Sequence, residues 1–195
     1  MHYSPNDTGG GQGHKADVRN WRELSGFSEL YDYWNSGREA GDLPRADKFD
    51  LLALTQWLPN IMLLDIVARD NVIARFAGTA MVDRIGFDFT RENVLTNQSD
   101  VSRERVINAY EAIISKPCGM VARYANHYSS GRSGIVTTIY LPLKAPASGN
   151  ARIVGMVCRE EDAGYAAPIE RTQAGTDIQS AEWIDLGFGV PPEKP

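Results

Sequence analysis

The chain has 195 residues, 43% of them hydrophobic and 23% charged, the composition of one ordinary globular domain that buries a core without metal or disulfide. Twenty basic against twenty-five acidic side chains leave a net charge of -5, which argues against a dedicated nucleic-acid binder with its basic stripe. No apolar run approaches the roughly 20 residues of a membrane helix. The first residues lack the apolar core of a signal peptide, and two distant cysteines suit a reducing compartment, so a soluble cytoplasmic protein is expected.

Residues 1–22 are polar and glycine-rich and read as a flexible arm. Structure is expected from about Ser25, a plausible N-cap. Phe27, Leu30, Tyr31 and Trp34 then fall at i, i+3, i+4 and i+7, one apolar stripe of a helix that Gly37 ends. Asp50 to Trp57 predicts a short second helix, capped by Asp47 or Asp50 and stopped by Pro59. Two apolar runs, 61–67 and 72–77, flank Asp70-Asn71 and predict a tight hairpin. If Arg69 pairs with Val72, Asp65 faces Phe76. Both faces of that hairpin are apolar, so both call for cover.

A short helix from Ala80 to Ile85 follows, with Thr79 as candidate cap and Gly86 as its end. A longer helix is predicted from Val101 to Ser115, capped by Asp100 and closed by Pro117, with Val106, Ile107, Tyr110, Ile113 and Ile114 on one side. Strand-like runs at 120–128, 135–143 and 152–159 finish the core, joined by turns at 129–134 and 145–150. Residues 163–195 read as a polar, irregular tail, either partly docked through Trp183, Ile184 and Leu186 or disordered. Two strands, a helical insert and three more strands make an α+β fold: a five-stranded antiparallel sheet with a leading helix.

That order is the order of a PAS domain, and residues 41–162 resemble an alphaproteobacterial family of stand-alone PAS-like proteins, the fifth PAS family. The resemblance rests on five short motifs in sequence. They are Leu43-Pro44-Arg45 before Phe49-Asp50; Leu58-Pro59 before Leu63-Leu64-Asp65; Arg75-Phe76-Ala77-Gly78-Thr79; Gly86-Phe87-Asp88-Phe89-Thr90; and Leu141-Pro142-Leu143. The chain departs from the family at Leu51, where proline often stands, and at Arg91, where glycine usually closes the turn. The resemblance implies a PAS fold, and thus sensing or protein interaction. It names no ligand.

Catalytic constellations are missing. Gly9–Ala16 looks like a phosphate loop, but His14 and Ala16 stand where Gly and Ser or Thr are needed. Gly131-Arg132-Ser133-Gly134 is a turn, not a nucleophile elbow. Cys118 and Cys158 lack zinc-ligand spacing, and a third strand at the sheet edge would hold them about 10 Å apart, beyond disulfide reach. Among PAS cofactors, haem takes a histidine from the long helix and flavin sensors a cysteine from the insert. Residues 101–115 contain no His and 78–116 no Cys, so no cofactor is expected.

Five residues are candidates for a ligand pocket or a structural polar core: Arg75, Tyr110, Tyr124, His127 and Tyr140. The tyrosines either fill the core or line a cavity. Arg75, in an apolar strand, needs a partner, either a carboxylate on a covering helix (Asp47, Asp50 or another) or an anionic ligand. The stripe of Phe27, Leu30, Tyr31 and Trp34 must lie on the open sheet face, on a second subunit, or on both, and a homodimer is expected through it. The functional expectation is a stand-alone regulatory protein, not an enzyme, that works through protein contacts and is gated by a small molecule. The alternatives are a module whose ligand binding is primary and, more remotely, a small enzyme.

Overall fold

A computed structural model describes residues 18–147 and 149–195; residues 1–17 of the expected arm lie outside them. Regular structure is present earlier than the sequence suggests. A 3-10 turn at Val18–Glu23 precedes helix α1 (Phe27–Ser36), and Val18 is buried. Gly26, not Ser25, holds the N-cap, at φ 86°. A Cβ there would lie 2.7 Å from the Met156 methyl and 2.8 Å from the Trp57 ring, so both the conformation and the close approach require glycine. The expected second helix is a single 3-10 turn, Leu51–Leu54, capped by Asp50 through its side chain. A second turn, Leu58–Asn60, leads into strand β1 (Ile61–Ala68).

After β1 come β2 (Asn71–Ala77), α2 (Thr79–Ile85), a 3-10 turn at Val94–Asn97 and α3 (Arg103–Ser115). Gly78 and Ser102 stand at the N-caps in place of the expected Thr79 and Asp100. Strands β3 (Gly119–His127), β4 (Arg132–Leu143), β5 (Ala151–Tyr165) and β6 (Gln173–Ile184) follow. All pairings are antiparallel, in the order β2-β1-β5-β4-β3-β6.

The sheet therefore has six strands, not five, and part of the expected irregular tail is strand. β5 runs to Tyr165, and β6 pairs with β3 from Gln173 to Ile184. An edge strand needs little apolar alternation, because only part of it faces a core; that is why the polar run 173–182 hid a strand. Trp183 packs into one core and Ile184 into the other. β3 is therefore not the sheet edge, but β4 still separates it from β5, and Cys118 and Cys158 are not joined in a disulfide.

Alternation along β1 creates two cores. Met62 and Leu64 face one side with α2 and α3. Ile61 and Leu63 face the other with α1. Phe27, Leu30 and Trp34 are all 0% exposed against this second face, a burial that contributes about 1.5–3 kcal/mol per side chain. Trp34 Nε1 also donates to the Pro142 carbonyl at 2.7 Å. The stripe is thus consumed by the chain's own sheet. Tyr31 packs against the same core and stays partly exposed.

The hairpin register also differs. Bulges between Leu63 and Leu64 and between Ile66 and Ala68 set Leu63 opposite Phe76 and Leu64 opposite Ala74, leaving Arg75 unpaired on the edge strand. Its tip is tied down by Arg69, which reaches Glu104 and Asn108 at 3.0 Å each, and Glu111, all on α3.

Candidate functional site

Between α2, α3 and the inner sheet face lies a cavity of two lobes that share Gln98, Tyr110, Tyr124 and Tyr140. The larger, about 80 Å³, has Met62, Met81 and Phe89 on its apolar side and Arg84, Asn97 and Tyr128 on its polar side. The smaller, about 50 Å³, lies between α3 and β6, with Val106, Met120 and Ile178 in its walls.

The three tyrosines come from α3, β3 and β4 and meet where the lobes join. Tyr110 and Tyr140 stack edge to face at 5.7 Å. The Tyr124 hydroxyl lies 3.3 Å from that of Tyr140 and 3.1 Å from Thr138 Oγ1. Burial pushes the Tyr110 and Tyr140 phenols well above their ordinary range, because an isolated phenolate there would lose its hydration. These rings are neutral donors and acceptors, not bases.

The other two candidates sit elsewhere. Arg75 is half exposed, its guanidinium 3.4 Å from Asp65 on the neighbouring strand, so the expected carboxylate on a covering helix is corrected to one within the sheet. Asp65 is held more tightly by Arg152, at 2.6 Å with both side chains largely buried. His127 lies at the end of β3 with Nε2 3.4 Å from the Ala167 carbonyl, and it is not part of the cavity lining.

Several polar groups in and around the cavity were not singled out from the sequence as a site. Glu160 is clamped between Arg84 at 2.8 Å and Arg132 at 2.5 Å, and all three are at least half-buried. Asn126 accepts from the Gly175 amide at 3.2 Å and donates to the Tyr128 hydroxyl at 3.4 Å. Burial also raises the Tyr128 phenol. Asn97 is 9% exposed, and its Oδ1 has no hydrogen-bond partner among the described residues. Such groups converge only because β5 and β6 bring residues 160 and 174–175 beside residues 84, 97 and 126; no local spacing announces them.

The sequence motifs find their reasons in the surroundings of this cavity. Gly78 ends β2 under the Leu58-Pro59 backbone, where a Cβ would lie 2.3 Å from the Pro59 carbonyl, and its amide donates to Ile61 at 2.8 Å. Asp88 Oδ1 accepts from the Thr90 amide at 2.9 Å, and Phe89 turns into the core at 3% exposure. Pro44 and Ala46 bracket Lys144 by backbone bonds of 2.9 and 3.0 Å. A PAS-domain profile, PAS_5, matches residues 23–158. The chain belongs to the PAS_5 family. β6 and the strap that follows it lie beyond the matched PAS residues. Among solved structures, the chain is similar to a fungal LOV domain photoreceptor described as linking blue light and oxidative stress. Identity is 18% over 77% of this chain and 99% of that one, at a TM-score of 0.44. No curated protein matches the sequence.

A flavin or haem does not fit these lobes. At about 80 and 50 Å³ they fall well short of the roughly 300 Å³ and more of cofactor pockets. Within PAS residues 78–116 there is no Cys, and α3 carries no His. No helix among the described residues is long and apolar enough to cross a membrane.

Proposed function

We propose that this PAS protein is regulatory and acts by binding rather than by catalysis, contacting another protein in a manner gated by a small molecule in the inner cavity. The observation that carries the reading is the buried, unpartnered Asn97 Oδ1 in the wall of the larger lobe. A buried acceptor without a donor costs about 1–3 kcal/mol, and an occupant that supplies the donor recovers it. Asn97 closes the 3-10 turn at Val94–Asn97, which connects the insert to α3, so occupancy is felt by the elements that cover the sheet. Val101, four residues past Asn97, is 90% exposed and offers an apolar side chain to a partner. Arg84, the cation in the wall of the larger lobe, supports binding more than catalysis, because it is already paired with Glu160, which also holds Arg132.

Native mass spectrometry of the protein purified from its own host tests this reading. A retained small mass supports gating, and a retained protein supports the contact. Finding neither would overturn it.

A further inference from the structure

The cavity's walls specify more than its existence. We propose, resting on the gating reading above, that the larger lobe takes a small neutral molecule with a compact apolar body and a donor–acceptor head of the primary-amide type, seated on the Asn97 carboxamide. Asn97 is the anchor. Its side chain is nine-tenths buried, its Oδ1 is unpartnered, and it lines the lobe. Its Oδ1 asks for a hydrogen-bond donor. A primary amide supplies one N–H to that oxygen and one carbonyl to the carboxamide N–H, so the two heads pair whichever way the Asn97 amide is turned.

Water fills the lobe poorly. One water needs roughly 10–15 Å³ and two to four polar partners, whereas the lobe is about 80 Å³ and much of its wall is Met62, Met81, Phe89 and Val136. Those side chains offer a solvent molecule nothing, but they suit a branched alkyl group. The head is neutral because the cation of the lobe is already engaged. Arg84 contacts Glu160 at 2.8 Å, and an anion would have to displace that carboxylate. Glu160 also holds Arg132, and two guanidinium groups on one carboxylate leave a positive charge in excess. A carboxylate of the same shape is therefore the stringent competitor.

Three probes on one isopropyl body separate the heads: isobutyramide, 3-methylbutan-2-one, which keeps the acceptor but lacks the donor, and isobutyrate, the anion. The readout is the 13C-methyl spectrum of the methionines in the full chain. Met62 and Met81 line the lobe, while Met156 packs on the opposite face of the sheet and serves as the internal control. Isobutyramide is expected to shift Met62 and Met81 and not Met156, with an affinity about tenfold above either competitor, the worth of one good buried hydrogen bond. Asn97→Leu keeps the size of the side chain and removes its amide, so it should abolish that preference. The ranking in the unsubstituted protein decides the matter even if the variant does not fold. Equal binding of the ketone, tighter binding of isobutyrate, or no shift with any probe (a lobe holding water only) overturns the proposal. If the amide fails while native mass spectrometry still shows a retained small molecule, the ligand class falls and the gating reading stands. If no small molecule is retained and no probe binds, both fall.

Discussion

Asp65 shows how two arginines on one carboxylate differ in worth. Arg152 is 12% exposed at its side chain and Arg75 is 54% exposed. Solvent screens an exposed pair to about 0–1 kcal/mol, while stranding a buried carboxylate costs about 3–5 kcal/mol. Urea unfolding of Arg75→Met should therefore show a loss below about 1 kcal/mol, and Arg152→Met a loss on the order of 3 kcal/mol. Reversal of that order would mean that the bulge hides Arg75. Arg91 is strained. It departs from the family's glycine and sits at φ 72°, in the left-handed region that a side chain enters at a cost of about 1–2 kcal/mol. Its amide donates to the Ala74 carbonyl at 2.7 Å, which fixes the conformation. Arg91→Gly is expected to stabilise the fold by about 1 kcal/mol, the relieved strain less the extra chain entropy of glycine. A destabilised variant would show that the Arg91 side chain makes a compensating contact.

Among the elements, β6 has the clearest consequence. It covers the outer hydrogen-bonding edge of β3 from Gly119 to His127 and supplies Ala181 and Trp183 to the inner core. The strap beyond it crosses back over α3: Lys116 Nζ donates to Val190 at 2.7 Å, and Trp183 Nε1 donates to Glu193 at 2.7 Å. Removing residues after Tyr165 would expose a long apolar strand edge, the feature that drives edge-to-edge association. The truncated chain should unfold at lower urea and sediment as aggregates at concentrations where the full chain stays in solution. A truncated chain as stable as the full one would reduce β6 to an accessory.

For the molecule as a whole, the buried phenols set its behaviour in alkali. Tyr110, Tyr128 and Tyr140 all lie above the ordinary phenol value of 10.0, chiefly through burial. An acid whose folded pKa is raised contributes stability that is fully present below its unfolded pKa and is lost as pH rises past it. The native state should therefore weaken above about pH 10. The last tyrosinate absorbance at 295 nm is expected to appear together with the loss of far-ultraviolet circular dichroism. Full ionisation of every tyrosine in a still-folded protein would contradict the burial of these rings.

The sequence by itself determined the elements whose signals are local. The stripe of α1, the hairpin of β1 and β2, and the limits of α2 at Gly86 and α3 near Pro117 follow from periodicity and turn chemistry within a few residues. The sequence also determined the family, because motifs such as Gly78-Thr79 are local imprints of close backbone contacts. Of the site, it found the three tyrosines and missed Asn97, Arg84 and Glu160, whose roles come from strands meeting across the fold. Tertiary structure alone decided three further matters. It made residues 173–184 a strand, because a polar edge strand gains its order from β3 rather than from its own pattern. It sent Arg75 to solvent, because a bulge shifts the hairpin register that residue counting assumed. It placed the α1 stripe on the chain's own sheet, because the second apolar face of β1 and β5 lies within the same molecule, where closing the contact loses no freedom of association.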